Sequence, residues 1–219
     1  MNRSKILSAA AVLVTLAAPA VADPTTPKLH PVDEVCVDYT TSGQMQSGES
    51  TRCHRDFAYE MYEIMSMTIG IGAFGKTQNS HTITIGETIY NINLQNNTAT
   101  RTTNPMYQGM LNALDGSSPE EVSAAMMAQM GLAPTGASQS ITGLTCNVFS
   151  SQMMGSVCFT DDWVMLEQSF MGTTQRATSV AYDGGEATNY TLYQTMAVTD
   201  GPDLSNGINL DDLMSQFPQ

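Results

Sequence analysis

The stretch HTITIGETIYNINLQNNTATRTT, residues 81–103, constrains the fold more than any other part of the chain. Its apolar and polar side chains alternate with a period of two, the repeat of a strand with one buried and one wet face. A two-residue turn at Gly86-Glu87 pairs Ile85 with Thr88, Ile83 with Tyr90 and His81 with Ile92. That register places Ile83, Ile85, Tyr90, Ile92 and Leu94 on one face, with Thr82, Thr84, Asn91 and Asn93 on the other. A second turn at Asn96-Asn97 leads into Thr98–Thr103. A sheet wetted on one side is an antiparallel one.

The same texture recurs along the chain. Strands are expected at 34–43, 49–57, 59–69, 141–149, 157–160, 163–171, 173–182 and 189–198, separated by Gly, Asn and Asp turns, which predicts one large meandering sheet. Between its halves the segment 104–134 reads as helical. Asn104 before Pro105 fits an N-cap with a first-turn proline, and Met106, Met110, Leu111 and Leu114 follow at helical spacing. Ser118-Pro119-Glu120-Glu121 fits a capping box, ahead of Val122, Met126 and Met130 on one stripe that Gly131 and Pro134 end. A short last helix is expected in LDDLMSQF, where Leu210, Leu213, Met214 and Phe217 line one side. Two methionine-rich helices inserted into a one-sided sheet have to bury their stripes, and the concave apolar face is the surface available. The expected fold is therefore mainly β (α+β): a curved antiparallel sheet or half-barrel with two central helices and a short C-terminal helix.

The first residues, MNRSKILSAAAVLVTLAAPAVADP, set Arg3 and Lys5 before an apolar run and a small-residue triplet, the regions of a secretory signal peptide with cleavage after Ala22. No run reaches the roughly 20 apolar residues of a membrane-spanning helix. Residues 23–33, with three prolines, read as a flexible leader, and 34–219 as a single domain. Losing Arg3 and Lys5 takes the formal charge from −13 to −15. So acidic a chain with few scattered cations does not suit nucleic acid or an anionic membrane surface.

Four cysteines in an exported chain point to two disulfides, and local pairing is favoured. Cys146 and Cys158 face each other across a hairpin if the turn centres on Gln152, and opposed residues sit about 4.5–5.5 Å apart, within disulfide reach. Cys36 and Cys53 do the same around Gly43–Gln46. The absence of Cys-x-x-Cys speaks against redox catalysis.

The chain carries 16 methionines. Unbranched and polarizable, they suit an adaptable apolar cavity, and Met106, Met110, Met126, Met127 and Met130 with Ile83 and Ile92 are the expected ligand-binding residues. The same stripes suit a packed core. Met61, Met65 and Met67, which share a strand face, together with Met153-Met154 are candidate Cu(I) ligands, though histidine is scarce and no Met-rich repeat recurs. His30 lies in the leader and is expected to be solvated; His81 falls on the apolar face; His54 and Asp56 share a face but have no nucleophile beside them. Neither Gly-x-Ser-x-Gly nor His-Glu-x-x-His occurs. DGGE at 183–186 and TDGPD at 199–203 lack calcium-loop spacing and read as turns. No catalytic residue, metal or cofactor is expected.

The signal peptide, hairpins such as HTITIGETIYNINLQNNTATRTTNPM, the central helical insertion and the second half GLTCNVF…VCFTDDWVMLEQSFMGTTQRATSV together resemble uncharacterised secreted bacterial proteins similar in outline to the periplasmic lipoprotein-carrier superfamily. That superfamily wraps an incomplete, strongly curved antiparallel barrel around helices and holds acyl chains between them. The resemblance spans residues 35–182 and shares no short motif, so it carries over no functional residue. It implies a non-enzymatic periplasmic protein that binds or carries a hydrophobic ligand, a lipid or acyl chain. A structural or protein-interaction module with a filled core is the alternative, and a Met-rich copper-binding protein follows it.

Overall fold

The protein was analysed as a computed structural model, which describes residues 26–70, 75–152 and 155–202. The expected signal peptide, the Met153-Met154 pair and the expected C-terminal helix in LDDLMSQF lie outside the described residues. In chain order the strands are β1 (Val35–Gly43), β2 (Gln46–Arg55), β3 (Glu60–Ile69), β4 (Lys76–Ile85), β5 (Thr88–Asn93), β6 (Thr98–Thr103), β7 (Ala133–Ile141), β8 (Leu144–Ser151), β9 (Gly155–Phe159), β10 (Met165–Phe170), β11 (Thr173–Ala181) and β12 (Ala197–Asp200). Helices α1 (Tyr107–Leu114) and α2 (Pro119–Gln129) lie between β6 and β7; α3 (Ala187–Thr191) and a 3-10 turn (Leu192–Thr195) precede β12.

All twelve strands join one open sheet in the order β12-β6-β5-β4-β3-β2-β1-β11-β10-β9-β8-β7. The pair β6–β12 is parallel, the others antiparallel. β1 is the seam: it pairs with its sequence neighbour β2 on one side and with the late strand β11 on the other. The β4–β5 hairpin has the register the alternation predicts, with Ile83 opposite Tyr90 and His81 opposite Ile92. Leu94 departs from it. Backbone N–H groups of Gln95 and Asn96 donate to Asn93 Oδ1 (3.0 and 3.1 Å), so the chain turns there and Leu94 stands exposed.

Both disulfides pair locally. Cys36 lies directly opposite Cys53. Cys146 and Cys158 differ from the expected geometry: Val148 opposes Cys158, so the bond runs diagonally between β8 and β9, over a Cα–Cα distance of 5.4 Å. The predicted strand 141–149 is two strands, because Thr142 and Gly143 both take positive φ (52° and 84°) and turn the chain back as a hairpin. The expected helical insertion ends at Leu132, since Ala133 and Pro134 open β7.

The predicted strand 189–198 is mostly helical. Tyr190, Leu192, Tyr193 and Met196 pack on one apolar cluster, and their uneven spacing meets a single surface in a short helix and 3-10 turn better than in a period-two strand. Cys53, Tyr62, Ile83 and Tyr90 are successive ladder partners and so share that covered face. Tyr190 meets Tyr62 edge-on with ring centroids 4.8 Å apart, and Tyr193 stacks on Tyr90 at 4.0 Å.

Of the two inserted helices only α2 buries side chains, Val122 and Met127. Its capping box forms as expected, with Glu121 N–H donating to Ser118 Oγ (3.3 Å) and Ser118 N–H to Glu121 Oε2 (2.8 Å). α1 has no buried residue, and Asn104 caps not the helix but the turn ahead of it, accepting from Met106 N–H (3.1 Å). The expectation that both helices lie across the sheet is thus met by α2 alone.

The Asp183-Gly184-Gly185 turn launches α3 directly over the Cys36–Cys53 bond. A Cβ on Gly185, whose φ is +73°, would stand 2.5 Å from Tyr62 Oη and 2.8 and 2.9 Å from the two Sγ atoms. Gly185→Ala is therefore expected to cost about 2 kcal/mol or more through clash and backbone strain, read as a fall of several degrees in Tm; an unchanged Tm would show that α3 is not seated on the disulfide.

Candidate functional site

Successive residues of a strand face opposite ways. Tyr62 is turned toward α3, so Met61, Glu63, Met65 and Met67 of β3 face the other side of the sheet. There Met65 and Met67 share a cavity of about 280 Å³ with Gln168 and Phe170 of β10 and Thr173 and Gln175 of β11. β3 and β10 are separated in the sheet by β2, β1 and β11, and still line one hollow. Gln168 also borders a second cavity, of about 190 Å³, between α2 and the sheet, walled by Met127, Met130, Leu132, Val157, Phe159 and Met165. The two adjoin through that glutamine.

Much of the polar equipment around this groove is already paired. Arg52 and Glu63 form an ion pair at 2.7 Å, Gln175 Nε2 donates to Ser50 Oγ (3.2 Å), and Tyr39 Oη donates to Met165 O (2.8 Å). Burial lifts the Tyr39 phenol to about 12, so it stays a neutral donor. The rest of the lining mixes thioethers and aromatic edges with the polar side chains of Thr41, Gln46, Gln168 and Thr173, with no nucleophile–base pair among the groove residues named here. Among the described residues no group of three or more His, Cys, Asp or Glu is placed to hold a metal.

The residues expected at the site are divided by the fold. Met127 and Met130 line the α2 cavity. Ile83 and Ile92 are buried on the opposite face, beneath Tyr190. Met126 is half-buried, Met110 is half-buried on α1, and Met106 is exposed ahead of α1. Met65 and Met67, which sequence reasoning offered as copper ligands, prove to be groove walls, while Met61 borders a separate hollow of about 60 Å³. Leu132, Val157, Phe159, Met165 and Phe170 went unnoticed. Strand parity was the available signal for Met65 and Met67; for Val157 and Phe159 it required the register of β9.

The leader is docked rather than solvated. Leu29 N–H donates to Phe57 O (2.9 Å), Phe57 N–H to Asp33 O (3.0 Å), and the Lys28 ammonium lies 4.1 Å from the Phe57 ring centroid. His30 and His54 stack obliquely, centroids 4.6 Å apart. His30 Nε2 lies 3.3 Å from Trp163 O and His54 Nε2 lies 3.1 Å from Val32 O; a carbonyl only accepts, so both nitrogens carry the proton. Val32 N–H donates to His30 Nδ1 (3.1 Å), which fixes His30 as the neutral tautomer. Burial holds His30 below its ordinary range, and burial with the neighbouring His30 pulls His54 down to about 4. Burial lowers His81 as well; its Nε2 meets no hydrogen-bond partner among the described residues.

No protein-family model matches the chain, and no curated protein matches its sequence. Among solved structures it is similar to an uncharacterized conserved protein from Thermus thermophilus, with a TM-score of 0.48 and 8% identity over 77% of this chain and 91% of that one. It is also similar to MucB, at a TM-score of 0.40 and 11% identity over 78% of this chain and 60% of that one. MucB in complex with MucA(peri) gives 0.37 and 9% over 73% and 54%. This chain thus spans little more than half of MucB, and likenesses of this size carry no function across.

For His54 the sign of the pH dependence follows from its depressed value. Between about 6.5, the unfolded pKa, and about 4 the unfolded chain holds a proton that the folded one lacks, so stability falls as pH drops through that window. Thermal melts at pH 7 and pH 4.5 should show a drop in Tm that is smaller in His54→Gln. An equal drop in both proteins would place the acid sensitivity elsewhere.

Proposed function

We propose that the protein is exported to the periplasm and there binds or carries a hydrophobic ligand, a lipid or acyl chain, in the methionine-lined groove of a half-barrel. The observation that carries this reading is the adjoining pair of cavities, about 190 and about 280 Å³, on the face away from α3. Ligand pockets commonly enclose roughly 300–1,000 Å³, the scale these two reach jointly. Lining by flexible thioethers fits a cargo of variable shape better than one of fixed hydrogen-bonding pattern. Burying a hydrocarbon tail there is favourable by about 25 cal/mol per Å² of apolar surface. Two disulfides fit an oxidising compartment, and no helix among the described residues is long and apolar enough to cross a membrane. The shared lining by β3 and β10 supports a sheet curved into a half-barrel, as in the lipoprotein-carrier superfamily that the sequence resembles. On this reading the protein performs no chemistry.

The experiment is uptake of a fluorescent fatty acid from solution. Placing carboxylates in the groove with Met67→Asp and Met130→Asp should weaken binding by about tenfold or more, since each puts an unpaired charge against an apolar ligand. Ile92→Val, on the opposite face, should leave binding unchanged. Absence of uptake by the unmodified protein would favour the alternative of an interaction module.

A further inference from the structure

The antiparallel register sorts the turns to two ends of the sheet. At one end lie Gln44-Met45, Gly70, Ser151-Gln152 and Met171-Gly172, together with the C-terminus of α2. The order of strands fixes this, because Gly43 pairs with Thr173, Phe170 with Thr173, Gln46 with Ile69 and Ser151 with Gly155. At the other end lie the β2–β3, β4–β5 and β9–β10 turns and the chain following β11.

Exposed apolar side chains gather at the first end and carboxylates at the second, where Met106 and Tyr182 are exposed as well. Met45, Ile69, Met130, Phe170 and Met171 are all exposed at the first end, Met171 to 87% and Met45 to 62%. The turn residues there carry no charge, and Lys76 stands opposite Ile69. Carboxylates crowd the second end, where Asp33, Asp56, Glu87, Asp162, Asp183 and Glu186 sit in or beside the turns. In addition, Met45, Phe170 and Met171 border a hollow of about 470 Å³ that shares Gln46, Phe170 and Thr173 with the groove. The groove therefore opens at the apolar tip.

We propose that this tip is a lipid-surface docking site: Met45, Phe170 and Met171 dip into the interface of a bilayer while the acidic end points away. The inference rests on the acyl-carrier reading for its purpose, since it places the groove mouth against the source of the cargo. A lipid surface, unlike a protein partner, demands no matched shape from side chains on separate turns. The charge layout selects the same orientation, because an acidic face turned to an anionic membrane would be repelled. Docking is peripheral and reversible, held by a few side chains rather than by a spanning segment.

The test is flotation with phosphatidylcholine vesicles, alongside uptake of a fluorescent fatty acid supplied below its micellar range without vesicles. The unmodified protein should float with the vesicles. The double variant Met45→Asp with Met171→Asp alters two exposed turn positions, should melt at the parent temperature, and should lose flotation by about tenfold while keeping uptake from solution. Anionic vesicles should bind less, with added salt restoring part of the loss. If the unmodified protein fails to float, or the double variant floats as well as the parent, the docking site is overturned. Self-association that the variant abolishes, without flotation of the parent, would overturn it too and assign the tip to a second copy of the chain. Flotation without fatty-acid uptake would leave the docking site standing and remove the acyl-carrier reading.

Discussion

The structure depends on the pairing of β1 with β11. The two halves of the chain, 35–103 and 133–181, are each local meanders in which neighbours in sequence pair as hairpins. Only the ladder from Cys36–Ala181 to Gly43–Thr173 joins them into a single sheet. Closing so long a loop is entropically costly, and the repayment comes from apolar burial at the seam, where Val35, Val37, Tyr39, Leu166 and Ala177 belong to one cluster. Because β3 lies on one side of that seam and β10 on the other, the groove exists only when the seam is made.

A sheet has two faces, and this one uses both. α3 and the aromatic residues after it seal the face carrying the Cys36–Cys53 bond, with Tyr190 as the plug: its hydroxyl donates to Gly184 O (2.7 Å). On the opposite face α2 packs against β9 and β10 through Met127, and the cavity bordered by Met65, Met67, Gln168 and Phe170 stays open. The methionines accordingly meet the cavities from both sides: Met127 reaches in from α2, while Met65 and Met67 reach in from β3.

Much of this was legible in the sequence, and unevenly. Ile83 and Tyr90 fell into register because a Gly-containing two-residue turn and strict alternation leave one solution. The capping box at Ser118 was equally readable, since its donors and acceptors lie within four residues. The site was less so. Ile83 and Ile92 look like cavity residues when a sheet is assumed to have one apolar face, and nothing local announces that Tyr190 covers them. Tyr190 itself sat in a run that reads as β from its aromatic and β-branched content, and it became helical because the surface it meets is supplied by residues far away in sequence. Met165 and Gln168, of opposite parity along β10, reach one face with Phe159 and Val157 through a register shift between Met165 and Glu167, which local patterning does not encode.

Whether the groove holds a hydrocarbon tail is decided most directly by native mass spectrometry of the protein, purified without detergent. The account predicts a population heavier than the polypeptide by the mass of one lipid or fatty acid, which organic extraction returns to the bare mass. A single species at the polypeptide mass before extraction, from protein that also takes up no added fatty acid, would contradict it.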